Sequence, residues 1–316
     1  MTTHRSRQEA RTGGRARTRP RRARLPAPLI VLASVLSVQF GQAFGKQMFA
    51  QAGPWGVAAL RLAIAAVLLL LIWRPRLSRL RGSLRLALAF GLAIAGMNLI
   101  YPAMQHLPLG VATGLQLLGP LTVALLAVRR PVDLVWSVLA MLGVLLFYGP
   151  GAPTPSLVGV LLALASGLAM GVYVLLSQRA GRRTTDGSLL ALAVTCAAVV
   201  MLPVGIAESG VALLDPQLLL AGAGLALVSA VLPYSLDLVA LRRLPPRVVG
   251  VLESLEPAVA GLAGMVVLHE LLAPTQWFAL ACVTVASVGA VMVTAPGPVP
   301  APGPTPDGHR ESTVRR

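Results

Sequence analysis

Charge is scarce in this sequence. Only 12% of its 316 residues are Asp, Glu, Lys or Arg, about half the share of an ordinary soluble domain. That excludes a soluble globular enzyme, and it excludes a disordered chain, which combines high charge with little apolar content. Cysteine is nearly absent: Cys196 and Cys282 each lie inside an apolar run, so neither a disulfide scaffold nor a cysteine metal site can be built. Lysine occurs once, at Lys46. His106 and His269 stand alone, without metal-ligand spacing. The stretch 41-GQAFGKQ-47 is one residue short of a phosphate loop and has no Ser or Thr after its lysine. No nucleophile–base arrangement and no HExxH string is present, so no enzyme and no cofactor is expected.

What is there is apolar surface, 56% of all residues. A membrane-spanning helix needs about 20 mainly apolar residues. Such runs fall near 28–49, 54–73, 84–106, 108–128, 132–149, 156–178, 187–207, 216–240, 247–268 and 274–294. The expected fold is therefore all-α, a polytopic membrane protein with ten transmembrane helices joined by short turns. Residues 1–27 form an Arg-rich tail and 296–316 a Pro/Gly-rich one, read as disordered. Span 1 is too long and too polar, with Gln39, Gln42 and Lys46, for a cleaved signal peptide. Trp55, Trp73 and Trp277 sit at span ends and read as interface anchors.

The net charge of +16 sorts by side. Nine arginines precede residue 25, and Arg74, Arg76, Arg79, Arg81 and Arg85 follow span 2. Further arginines follow spans 4, 6 and 8 and close the chain, so 25 of the 27 basic residues share one side if the spans alternate. The opposite loops carry Glu208, Asp215 and Glu270. By the positive-inside rule both termini are cytoplasmic and the protein is a multi-pass protein of the cell (inner or plasma) membrane. The basic tail reads as a topology anchor drawn to anionic lipid, and without aromatics it has no stacking platform for nucleic acid.

The chain also echoes itself. The segment 107-LPLGVATGLQLLGPLTVA-124 aligns without gaps on 244-LPPRVVGVLESLEPAVAG-261, which sets Pro120 on Pro257 and Gln116 on Glu253. Residues 28–150 and 151–295 then form two five-helix repeats. Five is odd, so the second repeat enters the membrane inverted. That is the architecture of alternating-access secondary transporters, with the binding site between the repeats.

Ionisable groups within spans are costly and mark function. Lys46 lies late in span 1 and Arg61 about two turns into span 2, both in the outer half; Asp237, Glu253 and Glu256 belong to the inner half of spans 8 and 9. Gln39, Gln42 and Lys46 share one face of span 1 by their i, i+3, i+7 spacing. Glu253 and Glu256 are i, i+3 neighbours, and two carboxylates that close in a low dielectric rarely both ionise, which suits proton coupling. Pro257 leaves a carbonyl near residue 253 without its helical donor. Bland roles compete: Lys46 can snorkel outward, Arg61 can pair with an outer-loop acid, Glu253 with Arg247, and Asp237 with Arg242 or Arg243.

Several strings carry a family resemblance: 60-LRLAI-64, 97-MNLIYPAMQHLPLG-110, 129-RRPVDLVW-136, 177-SQRAG-181, 232-LPYSLDLVALRRLP-245 and 252-LESLEPAVAGLAGM-265. The chain resembles EamA-type drug/metabolite transporters and, within them, the threonine/homoserine exporter branch, over about residues 29–295. The resemblance implies export of small amino acids by proton antiport and alternating access. Three positions depart from the branch pattern: Glu253 replaces an apolar residue, Asp237 a Glu and His269 a Gly. On this reading Lys46, Arg61, Gln42, Asn98, Gln116, Tyr234 and Ser235 bind substrate, while Glu256, Glu253 and Asp237 couple protons or gate. The partners are an amino acid, protons and membrane lipid, with no nucleic acid and no metal; a homodimer is compatible with such a bundle. The alternatives are export of other solutes, such as aromatic amino acids, drugs or nucleobases, and a non-transporting membrane scaffold.

Overall fold

The computed structural model describes residues 26–75, 81–127, 131–147, 155–181, 187–241, 243–244 and 246–294. Residues 1–25 and 295–316 of the tails lie outside these residues, as do Arg76, Arg79, Arg129, Arg130, Arg182, Arg183 and Arg242 of the basic loops. Among the described residues the structure is wholly helical, with no strand. The helices are α1 (Ala27–Gln47), α2 (Phe49–Trp73), α3 (Leu84–Met97), α4 (Ile100–His106), α5 (Leu109–Ala127), α6 (Pro131–Leu146), α7 (Leu157–Gly181), α8 (Ser188–Ser209), α9 (Pro216–Ala226), α10 (Leu232–Leu241), α11 (Pro246–Glu253), α12 (Glu256–Leu268) and α13 (Pro274–Thr294).

Eight stretches are long and apolar enough to cross a membrane, and shorter apolar helices cover 109–123 and 134–146. The apolar runs of the sequence predict ten spans. The two short stretches are the fourth and fifth, where the helices adjoin undescribed residues. The outward surface supports the bilayer assignment. Leu126, Leu134, Leu168 and Leu220 are each more than two-thirds exposed, and such a belt on a soluble monomer would drive aggregation.

Proline shapes the bundle. Span 3 turns at Asn98–Leu99 between α3 and α4, four residues before Pro102. Span 8 passes through a π-helical segment, Leu227–Val231, just before Pro233. Span 9 turns at Ser254–Leu255 ahead of Pro257. Each proline removes the N–H that would close an i to i−4 bond, and its ring crowds the preceding turn. Pro120, which the repeat sets against Pro257, lies instead inside the continuous helix α5.

α2 begins irregularly. Gly53 takes φ +58°, in the left-handed region, and Pro54 follows. A side chain at Gly53 would collide with the Glu208 carboxylate. That carboxylate accepts from Trp55 N at 2.8 Å and Gly56 N at 2.9 Å, so Glu208 caps the helix that restarts after the kink. At α9, Asp215 plays the same part for Gln217 N and Leu218 N.

Packing runs mostly across the middle of the sequence. α2 packs chiefly on α8, α3 on α7 and α8, α5 on α7, α12 and α13, and α6 on α13, while α1 lies against α10 and α12. Within the first half, consecutive long helices touch little. Glycines permit the closest approaches: a Cβ on Gly41 would come within 2.6 Å of Ser229 Cβ, so α1 meets the π-helical segment nearly backbone to backbone.

Candidate functional site: a buried arginine, a lysine clasp and a carboxylate cluster

Arg61 stands on α2 and is only 7% exposed. Its Nε donates to Ser229 Oγ at 2.6 Å, its Nη2 to the Ser229 carbonyl at 2.6 Å, and its Nη1 to Asn98 Oδ1 at 2.9 Å. Its guanidinium lies over the Tyr101 ring, 5.7 Å from the centroid, within cation–π range. The logic is local. Pro233 has no N–H, so the carbonyl of Ser229, four residues earlier, has no helical donor, and the arginine supplies one. Asn98 likewise precedes Pro102 by four; its Nδ2 donates to Ile94 O at 2.7 Å, which turns Oδ1 toward the arginine. Arg61 therefore ties together two interrupted spans, one from each half. Tyr234 lies beside the same guanidinium. Among the described residues no carboxylate is within ion-pair distance of Arg61.

The outer-loop acid has a different partner. Lys46 Nζ meets Glu270 Oε1 at 2.6 Å and donates to the Leu107 carbonyl at 2.9 Å. The other oxygen of Glu270 accepts from Leu109 N at 2.7 Å. One lysine and one glutamate thus clasp the end of α1, the α4–α5 joint and the end of α12. His269 makes this geometry. It ends α12 in the left-handed conformation, φ +55°, and its N–H and that of Glu270 both return to the Gly264 carbonyl. A position of that kind favours glycine, which is why His269 stood out as a departure.

Asp237 on α10 and Glu253 and Glu256 at the α11–α12 turn lie within electrostatic reach of one another and of Tyr173 on α7, whose ring stacks on Phe90. Asp237 makes no ion pair with Arg243; Arg242 and the Arg247 side chain lie outside the described residues. The serine at the same turn, Ser254, bonds Gly250 O at 2.8 Å and Ser287 at 2.9 Å across to α13. No group of three or more His, Cys, Asp or Glu among the described residues is arranged to hold a metal.

The neutral candidates divide. Asn98 joins the arginine cluster. Gln116 Nε2 donates to Ser166 Oγ at 2.7 Å and lies 3.3 Å from Met97 O, next to the span 3 break. Ser235 is exposed and bonds the Val231 carbonyl of its own chain turn at 2.7 Å. Gln42 is buried with its Oε1 unpartnered. The sequence reading passed over Ser229, Tyr101, Ser166 and the partnership of Glu270. For Ser229 a signal existed, the proline four residues later. For Glu270 none did, because 224 residues separate it from Lys46. An apolar groove of about 360 Å³ on the exposed side of α3 and α8 is lined by Leu88, Leu92, Thr195, Cys196, Val199 and Val200. The Thr195 hydroxyl is spent on Ala191 O, so the groove offers no handle to a polar solute.

A multi-pass helical bundle with broken spans and an internal arginine is the architecture of a membrane transporter, and the chain belongs to the EamA-like transporter family. Residues 157–292 match that family directly. The chain is 40% identical over 268 residues to the threonine/homoserine exporter RhtA of Escherichia coli (strain K12), which spans 84% of this chain and 90% of the relative. It is 41% identical over the same shares to the RhtA of Salmonella typhimurium (strain LT2). These relatives are named as exporters, not enzymes. A solved crystal structure shares the fold, with TM-score 0.57 over 85% of this chain and 96% of that one at 19% identity.

Proposed function

We propose that this protein exports small amino acids of the threonine/homoserine type across the cell membrane by alternating access coupled to proton antiport. One observation carries the site assignment: Arg61 is a buried cation hydrogen-bonded by neutral groups, with no carboxylate in ion-pair range among the described residues. A buried charge without a counter-charge is costly, and the carboxylate of an amino-acid zwitterion supplies one. Asn98, Tyr234, Gln116 and Gln42 surround the substrate, with Ser235 at its edge. Glu256, Glu253 and Asp237 take the proton or the ammonium. Lys46, held by Glu270, acts as a gate on the outer face.

The ten-helix inverted repeat is part of this proposal. It is supported by the paired breaks Asn98–Pro102 and Ser229–Pro233, by the aligned segments 107–124 and 244–261, and by helix pairing across the two halves. The distribution of arginine supports cytoplasmic termini, which a reporter fused to the C-terminus tests by its activity on either side of the membrane. Radiolabelled threonine counterflow in proteoliposomes tests the transport reading. Threonine and homoserine compete, and an imposed pH gradient drives uphill movement. Competition by aromatic amino acids or nucleobases instead of threonine overturns the substrate assignment, and indifference to the pH gradient overturns the antiport.

A further inference from the structure

Gln39 and Gln42 are 1% and 8% exposed on α1. Neither Oε1 has a hydrogen-bond partner. Buried side-chain amides almost always find partners, because an unsatisfied one costs roughly 1–3 kcal/mol. Two in succession on one helix face is a different matter from the lone unpartnered hydroxyls of Thr113 and Thr284, which can rotate to their own helix carbonyls. The i, i+3 spacing sets both amides on the side of α1 that ends at Lys46. The adjoining flank of α1 is glycine, with Gly41 against Ser229 and Gly45 against Tyr101. Those two residues hold Arg61. The buried Tyr101 hydroxyl is itself unpartnered. Arg61 and the two amides therefore occupy adjacent flanks of one stretch of α1.

We infer that Gln39 and Gln42 form the subsite that recognises the side-chain hydroxyl of the substrate. The inference rests on the export reading above and deepens it. With Arg61 taking the carboxylate, a hydroxyl on the β or γ carbon reaches the amides, donating to one Oε1 and accepting from the other Nε2. An amino acid without the hydroxyl leaves both amides buried and unpaired while excluding the water that would otherwise serve them. A site built to bond a hydroxyl rejects the analogue lacking it far more strongly than an apolar pocket rejects an added one.

The test is threonine counterflow by the full chain in proteoliposomes, competed with 2-aminobutyrate, which is threonine without its hydroxyl. The wild type favours threonine by at least about tenfold, the discrimination expected of a lost buried polar contact. In the Gln39→Met, Gln42→Met double variant the preference falls to within about twofold, while 2-aminobutyrate improves. Methionine matches glutamine in length and suits a membrane interior, so the variant is expected to accumulate normally. If it does not, the single Gln42→Met and Gln39→Met variants read the same ratio. A wild type without preference, or variants that keep it, overturns the subsite and leaves export standing. A wild type that moves no amino acid at all overturns the export reading as well.

Discussion

Breaking the Lys46–Glu270 clasp is the sharpest perturbation available. The pair is neither surface nor core, with side chains 20% and 16% exposed. A fully exposed pair contributes up to about 1 kcal/mol, whereas removing one member of a buried pair costs about 3–5 kcal/mol. At an effective dielectric near 20 the Coulomb attraction at contact is about 4 kcal/mol, most of it offset by desolvation. A net coupling of about 1–3 kcal/mol follows. Glu270→Gln is the cleaner change, since it removes the charge while keeping an oxygen for Leu109 N. In a double-mutant cycle with Lys46→Met, thermal unfolding in detergent followed by tryptophan fluorescence should show the double variant no less stable than the worse single. The functional consequence is larger than the stability one. If the clasp holds the outer face shut, losing 1–3 kcal/mol shifts the open-to-closed ratio by about 5- to 150-fold. A cysteine placed at Val267, in a background without Cys196 and Cys282, should then label faster from outside in Glu270→Gln. Coupling below about 0.5 kcal/mol together with unchanged labelling would refute the gate.

Three further changes have defined outcomes. Arg61→Met orphans the Ser229 carbonyl and Asn98 Oδ1, while the Ser229 hydroxyl keeps its bond to Leu225 O; it is expected to cost about 2–4 kcal/mol net of the recovered desolvation and to abolish threonine counterflow, and Arg61→Lys, lacking the fork, should not restore it. Glu208→Ala uncaps α2 at Trp55 and Gly56 and should lower stability by about 1–2 kcal/mol, with Glu208→Asp or Gln intermediate, read as a lower midpoint in the same unfolding assay. His269→Gly removes a left-handed side-chain penalty and should raise stability by about 0.5–1 kcal/mol without altering transport.

The sequence made some of this readable and withheld the rest for physical reasons. Apolar runs located the spans because a bilayer imposes length and composition on any helix that crosses it. Pro257 announced the break in span 9, since a missing N–H acts locally, whereas its repeat partner Pro120 left its helix continuous. Arg61 and Lys46 stood out because charge is rare in such surroundings. Their partners did not. An arginine satisfied by a serine carbonyl and an asparagine leaves no acid to search for, and Glu270 resembled any other loop acid. The order of packing was illegible too. These helices are apolar all round, so no stripe says which face meets a neighbour and which meets lipid.

That order of packing bears on how the protein is made. α2 finds its main neighbour only when α8 is complete, and α6 waits for α13. At a synthesis rate of about 5–20 residues per second, α2 spends on the order of ten seconds in the membrane with its contact face, and the Arg61 on it, uncovered. Ser229 is made later still, so during that interval the arginine has, of its described partners, Asn98 and the Tyr101 ring but not the serine. A nascent chain in this position needs its charged helix sheltered from lipid, with only its lesser packing on α1 and α4 to hold it in place. Neither half expressed alone should accumulate, whereas the two halves produced together as separate chains have the surfaces to find each other.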